Sequence, residues 1–441
     1  MSNKSTLCPI MWNHMGIQQN GDLRQCCLMM YPPYGKLVDG DGDGNNLNFN
    51  NIEDARNHPE TKKIRKDMMN GKKPSACNFC WTEESAGITS KRLHMLKKYD
   101  INEVLKNTSD DGTIDTDTVP LIYIDLRLGN LCNLKCRVCG PYSSSLWVDD
   151  YAELNQIDNK ATMNYWGEKE YNLIKTWKID SADFNWYDDQ NFHSWLDSKI
   201  LNGLLSIYFT GGEPTVNKAH MQILERIIEL QKASVISLEY NTNMVAIPPK
   251  LLELWKPFKL VNIGASIDAM GPLAAYVRNP SNWEKIEKNI DKIGYNQFSN
   301  LNIGCQTTVS ILNIRHLIDL SKWLFSKNYT SFKNKWLSWH ILVLPEHFSI
   351  QVLPSETKKI IEEEFNNFYS WVETNVGNED GKFIRTNYGK IISFMNQQQK
   401  QHLLPKLATT ITEIDNLRKE NIRTAIPWLS DILGLIPEGS V

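Results

Sequence analysis

From Leu121 onward the chain alternates between two hydrophobic periods. Short apolar runs recur at Leu121–Leu128 (LIYIDLRL), Leu204–Phe209, Val235–Tyr240, Leu260–Ile267, Leu301–Val309 and Trp336–Leu344, with the length and branching of buried strands. Between most of them the period lengthens to that of a helix, as in Ala219–Gln231 (AHMQILERIIELQ), Trp283–Ile293 and Arg315–Phe325. Strands alternating with helices predict an α/β fold of parallel βαβ units with right-handed crossovers. Six such units over residues 116–345 predict a partial (β/α)6 TIM-like barrel, whose chemistry belongs on the loops leaving the C-terminal ends of the strands.

The flanks lack this alternation. Residues 1–115 read as a separate cysteine-rich module, joined to the barrel through a polar, acidic linker at 100–118 (DINEVLKNTSDDGTIDTDT). Within it, Ile52–Met69 has a helical period, and Asp39-Gly-Asp-Gly-Asp43-Gly44 spaces carboxylates like the start of a calcium loop. Asn50 stands where that loop needs a bidentate Glu, so a turn-rich loop is the better reading. An insertion at about 142–200 carries Trp147, Trp166, Trp177, Trp186 and Trp195. It exceeds an ordinary connection and predicts one or two helices plus a loop, with the aromatics packing it onto the barrel. Residues 346–441 predict a helical extension, built on Glu356–Trp371, Leu403–Asn416 and Ile422–Leu435.

Composition narrows the class. With 441 residues, 41% of them apolar and 22% charged, the chain can bury a large core as a globular protein. A net charge of −3 provides no basic surplus for nucleic acid. The start, MSNKSTLCPIMWNHMG, lacks the apolar core of a signal peptide, and no apolar run approaches a membrane span, so the expected location is the cytoplasm.

Eight of the nine cysteines lie in the first 139 residues, and that clustering points to metal ligation in a reducing compartment. Cys132-Asn-Leu-Lys-Cys136-Arg-Val-Cys139 follows the first barrel strand. Three thiolates in one tight loop can hold three irons of a cubane cluster and leave the fourth open to another ligand. Cys8, Cys26, Cys77 and Cys80 would complete a four-cysteine site for a cluster or for zinc, with Cys27 as a spare thiol. Thr210-Gly211-Gly212-Glu213-Pro214 ends the second barrel strand. Its glycines admit close backbone approach, and its carboxylate can accept from an ammonium group. Arg127, Lys135 and Arg137 flank the cysteine loop, either as partners of a cofactor carboxylate or as solvated charges. His193, His316 and His340 lack metal-ligand spacing and read as packing or surface.

CNLKCRVC followed by TGGEP resembles the radical S-adenosylmethionine superfamily over about residues 119–345. The resemblance implies that Cys132, Cys136 and Cys139 hold a [4Fe-4S] cluster whose open iron binds the amino and carboxylate groups of S-adenosylmethionine. Gly211, Gly212, Glu213 and Pro214 would meet the methionyl amine. Asn241 and Asn243 resemble the end of the family's third strand, Ser266 and Asp268 the ribose contacts after the fourth, and Thr308 the end of the fifth. Val138 stands where an aromatic is common in this family, and an aliphatic chain still covers adenine. The N-terminal cysteines, with Cys80-Trp-Thr-Glu83-Glu84 after the CxxC, resemble a twitch or SPASM auxiliary-cluster module, which commonly follows the barrel and here precedes it.

The resemblance implies reductive cleavage of S-adenosylmethionine to a 5′-deoxyadenosyl radical that abstracts a substrate hydrogen. A flavodoxin- or ferredoxin-type donor would supply the electron. An auxiliary [4Fe-4S] cluster would accept an electron from the substrate, making the net reaction an oxidation or other C–H functionalisation of a peptide or protein side chain or a small molecule. Two other readings stand beside it: the same enzyme with a structural zinc at the N-terminal site, and a non-catalytic zinc protein. The latter leaves the three-cysteine loop unexplained, since a closed zinc site takes four ligands.

Overall fold

The computed structural model describes residues 5–29, 55–85, 89–156, 162–166, 176–180, 183–295, 298–332 and 335–435. The loop at 39–50 lies outside the described residues.

Ten strands are described: β1 (His14–Ile17), β2 (Leu23–Arg24), β3 (Tyr123–Arg127), β4 (Thr162–Trp166), β5 (Thr176–Asp180), β6 (Ser206–Thr210), β7 (Ser237–Thr242), β8 (Leu260–Ser266), β9 (Leu301–Val309) and β10 (Ser338–Ile341). Eight of them form one sheet in the order β10-β9-β8-β7-β6-β3-β1-β2. Every neighbouring pair from β10 to β1 is parallel, and only β2 runs antiparallel. The six expected strands are β3 and β6–β10, with helices Lys218–Glu229, Trp283–Gly294 and Leu317–Ser326 in three of the crossovers.

The alternation along these strands divides the sheet's two faces. On β9, Leu301, Ile303, Cys305, Thr307 and Val309 are buried, while Asn302, Gly304, Gln306 and Thr308 are half-buried. Tyr240 of β7 turns to the outer, helix-covered side, where its hydroxyl meets His220 at 2.8 Å and Trp255 at 3.1 Å. The other row is polar, from Tyr208 through Glu239, Asn241, Asn262, Ser266 and Gln306. A parallel strand covered on both faces reads as continuously apolar. This polar row therefore marks the concave interior as a surface for ligands rather than a packed core.

The structure corrects the expected separation of residues 1–115. β1 pairs in parallel with β3, with His14 opposite Tyr123 and Ile17 opposite Leu126, so the N-terminal segment belongs to the main sheet. The segment is tied further by buried arginines that donate to its carbonyls: Arg65 Nε to Met11 at 2.6 Å and Arg56 to Trp12 at 3.0 Å. The 100–118 stretch is no free linker. It contains helix Asn102–Lys106 and a bridge between Thr108 and Ile114. The insertion holds helices Trp147–Leu154 and Gln190–Leu201 as expected, together with an unforeseen antiparallel hairpin, β4–β5. Trp147, Trp186 and Trp195 are buried, which is the packing role expected of them. The C-terminal extension is helical, with Ser355–Asn375, Leu404–Arg418, Ile422–Ala425 and Pro427–Ile432, and Asn378–Gln397 adds a long helix that its polar composition concealed. Among the described residues no helix is long and apolar enough to cross a membrane.

Candidate active site

β3 ends at Arg127, and the chain leaves it for the loop carrying Cys132, Cys136 and Cys139, all half-buried. Neighbouring segments pin this loop. Lys135 N donates to Asn279 O at 2.5 Å and Arg137 N to Val277 O at 3.0 Å. Trp147 Nε1 donates to Cys136 O at 2.8 Å and Ser144 Oγ to Leu134 O at 2.5 Å. From the end of β6, Glu213 N reaches Leu131 O at 2.8 Å and Gly212 N reaches Gly129 O at 3.3 Å. A Cβ on Gly212 would stand 2.3 Å from Leu131 O, and Gly211 has φ +108°. Gly212 is there because the cysteine loop's backbone lies directly against it, and Gly211 because its positive φ brings it against Arg127 at the end of β3.

The other expected cofactor residues fall on the same rim, at or just past the C-terminal ends of β6 (Gly211 to Pro214), β7 (Asn241, Asn243), β8 (Ser266, Asp268) and β9 (Thr308). Glu213 is buried. Its Oε1 accepts from Thr215 N at 3.1 Å and Thr215 Oγ1 at 2.7 Å, and its Oε2 from Asn243 N at 2.7 Å. The Thr242 side chain hydrogen-bonds it as well, so a carboxylate's roughly four lone-pair sites are all engaged. Asn243 in turn donates to Asn133 Oδ1 at 2.7 Å, joining β7 to the cysteine loop. Asp268 is more occupied than a ribose contact would be: Oδ1 accepts from Thr308 N at 2.7 Å and Oδ2 from Arg278 Nε at 2.7 Å. Ser266 and Asn241 stay half-buried on the polar interior face.

Burial pushes the thiols of Cys132 and Cys139 up to about 12 and raises that of Cys136, so free thiolates are disfavoured here. Such a donor set fits a group that brings positive charge of its own. Arg278 works in the same direction, its guanidinium lowering both Cys136 and Cys139. No motif marks this arginine; it is found only because its backbone neighbours, Val277 and Asn279, line the cysteine loop. The three flanking cations, read as partners of a cofactor carboxylate or as solvated charges, meet carboxylates of the protein instead. Lys135 pairs with Asp150 at 2.8 Å, Arg127 lies 3.7 Å from Asp125, and Arg137 is fully buried between Asp415 and Glu420, 2.6 Å from Glu420. His316 accepts from Met270 N at 3.1 Å, a structural role.

The four N-terminal cysteines come together. Cys8 precedes the turn into β1, Cys26 follows β2, and Cys77 and Cys80 bracket the start of helix Asn78–Ser85. All four line one pocket with Ile10, Met11, Lys91 and Arg92. Burial raises Cys8 and Cys77 to about 12 and lifts Cys80, while Cys26 is raised by its hydrogen bond with Cys27 and then by burial. Among the described residues no three His, Cys, Asp or Glu side chains are arranged to hold a single metal ion. Glu84 rivets the wall, accepting from Arg92 Nε at 2.9 Å, while the Arg92 guanidinium stacks 4.6 Å from the Trp81 ring. Cys27 does not line this pocket. Its sulfur is hydrogen-bonded with Cys26 and accepts from Lys91 Nζ at 2.9 Å, both of which favour the thiolate.

An α/β enzyme is thus defined, with a three-cysteine loop and a glycine turn knitted together at the C-terminal rim of a parallel sheet. Residues 126–320 match the family model described as the Radical SAM superfamily, so the chain carries a domain of that kind and is an enzyme. Over 197 residues it is 23% identical to the GTP 3′,8-cyclase of Mannheimia succiniciproducens, a match covering 43% of this chain and 47% of the relative. The chain spans about half the length of the curated relatives it matches. Similar solved structures include native anSMEcpe with bound AdoMet (17% identity, TM-score 0.38, 58% of this chain and 62% of that one). Streptococcus suis SuiB bound to S-adenosylmethionine is another (13% identity, TM-score 0.32, 72% and 63%).

Proposed function

We propose that Cys132, Cys136 and Cys139 hold a site-differentiated [4Fe-4S] cluster, that the rim residues bind S-adenosylmethionine on it, and that the polar sheet interior receives the substrate. When bound, these groups supply a 5′-deoxyadenosyl radical that takes a hydrogen atom from a substrate C–H bond. The chain's part is to orient and to protect. Gly211 and Gly212 let the turn lie against Arg127 and the cysteine loop, Glu213 would take the methionyl amine in exchange for one of its present donors, and Asn241, Ser266 and Thr308 line the interior side of the rim. Arg278 supplies positive charge beside two of the thiolates.

Cys8, Cys26, Cys77 and Cys80 would hold an auxiliary [4Fe-4S] cluster that accepts an electron, making the net reaction an oxidation or C–H functionalisation of a peptide side chain or a small molecule. The observation that carries this half is the gathering of four thiols, distant in sequence, around one pocket beside the sheet. In a zinc site the sulfurs stand ~2.3 Å from a single ion. A cubane takes the same four thiolates on four separate irons. Iron and sulfide per chain after anaerobic purification test the reading: about eight of each agrees with two cubanes, by cluster stoichiometry. About four of each with one zinc would refute the auxiliary cluster and leave a structural site.

A further inference from the structure

On the interior face of β3, Asp125 and Arg127 occupy alternate positions and form only a loose ion pair with each other, 3.7 Å apart. Asp125 is wholly buried, and neither carboxylate oxygen takes a hydrogen bond. The nearest Arg127 nitrogen is 3.7 Å away, beyond hydrogen-bonding distance, and Arg127 Nε is itself buried without an acceptor. Tyr208, opposite Asp125 in the register of β3 and β6, stands half-buried beside them. Lys91 does not fill the gap, since its ammonium donates to Cys27. Buried polar groups are normally hydrogen-bonded, and an unsatisfied carboxylate next to an unsatisfied guanidinium is costly unless something occupies them.

Their position says what that something is for. A Cβ on Gly211 would stand 3.0 Å from the Arg127 Cβ, so Arg127 lies against the glycine turn that holds the cysteine loop. At the other end, Lys91 lines the four-cysteine pocket and carries its ammonium 5.8 Å from the Tyr123 ring. The unfilled pair is on the strand that connects the two cysteine sets.

We propose that Asp125 and Arg127 are the inner anchor of the substrate site, and that they take an amide group of a peptide, whose N–H donates to Asp125 and whose carbonyl accepts from Arg127. The assignment rests on the reading of the sheet interior as the substrate site. Charge selects the ligand class. The pair is neutral as a unit, so a net-neutral group carrying one donor and one acceptor satisfies both members. A phosphate ester would satisfy Arg127 but press its charge on Asp125, and a lone ammonium would do the reverse.

The test is calorimetric titration of anaerobic, cluster-loaded enzyme with three probes: acetyl-Ala-Ala-Ala-amide, uncapped Ala-Ala-Ala and GTP. The capped peptide should bind the unmodified enzyme most tightly and lose at least tenfold in affinity in Asp125→Leu and in Arg127→Met. Asp125→Asn, which keeps the volume, guards against misfolding of the leucine variant and should weaken binding in the same sense. Equal binding to all variants, no binding to unmodified enzyme, or tighter and Arg127-dependent binding of GTP would each overturn the anchor. Formation of 5′-deoxyadenosine with dithionite in the same preparations separates the two ideas. If it is absent from unmodified enzyme, the radical reading has failed; if it is present while the peptide ignores Asp125 and Arg127, only the anchor has.

Discussion

Arg137 sits between two of the loop cysteines and is held by the far end of the chain. Its side chain has no exposure; Nε donates to Tyr276 O at 2.9 Å, and the guanidinium stacks 3.6 Å from the Tyr276 ring. One terminal nitrogen is shared by Asp415 and by Glu420, the latter at 2.6 Å. Arg137→Met removes the cation but leaves both acids in place. Asp415 keeps Tyr276 Oη at 3.1 Å and Ile422 N at 2.7 Å, and Glu420 keeps Asn279 Nδ2, so neither acid loses every donor. Breaking a buried pair from one side costs ~3–5 kcal/mol, and the surviving donors put this case at the lower end, ~3 kcal/mol. Chemical denaturation of the apo protein reads that loss. Because the same backbone segment presents Cys136 and Cys139, iron and sulfide per chain should fall with it. A triple variant with Arg137→Met, Asp415→Leu and Glu420→Met removes the charges together and should recover stability to within ~1 kcal/mol. If Arg137→Met unfolds within 1 kcal/mol of the unmodified protein and loads its full iron, the C-terminal helices do not brace the cysteine loop.

Three further outcomes are expected. Gly212→Ala drives a Cβ against Leu131 O and should cut cluster retention several-fold, whereas Gly389→Ala, with open space around it, should be neutral in the same iron and sulfide assay. Cys77→Ala with Cys80→Ala should leave about four irons per chain and continued 5′-deoxyadenosine formation while product falls; normal product yield would remove the electron-accepting role. Burial holds the Asp125 carboxyl at about 6 against its ordinary 3.8. A raised carboxylate favours the native state fully below about pH 4, and that advantage is lost as pH rises through about 6. At pH 8 the ionised group therefore costs up to ~3 kcal/mol, two pH units at ~1.4 kcal/mol each. Asp125→Asn should be the more stable form at pH 8, with the difference shrinking toward pH 4.5; urea midpoints that differ equally at both would refute the burial argument.

What the sequence revealed and what it withheld follow one physical division. β8 and β9 were legible because a strand with one covered face repeats every two residues, and the glycine turn because close approach leaves no room for a side chain. β1 was not: four residues, HMGI, become a strand only by pairing with β3, more than a hundred residues away. Arg137 and Asp415 are 278 positions apart, and no periodicity links them. Asp268 was legible as a rim residue, but its partner Arg278 carried no pattern, so the carboxylate's engagement emerged only from the fold. Local sequence reports which face a residue occupies; it does not report which distant charge completes it.

The order of the cysteines along the chain then acquires a geometric meaning. β1 runs parallel to β3 and ends level with Leu126; β2 returns antiparallel, with Leu23 opposite Ile17 and Arg24 opposite Gly16. Cys26 and Cys27 are thereby carried back toward the N-terminal end of β3, while Cys132 leaves from its C-terminal end. The N-terminal segment reaches the sheet as an added edge, so its four-cysteine pocket lies toward the opposite end of β3 from the cysteine loop. Four residue steps from Tyr123 to Arg127 span ~13 Å at ~3.3 Å per residue. On the proposed reading, a substrate anchored at Asp125 and Arg127 lies within that interval, with the rim that generates the radical on one side and the pocket that removes the electron on the other.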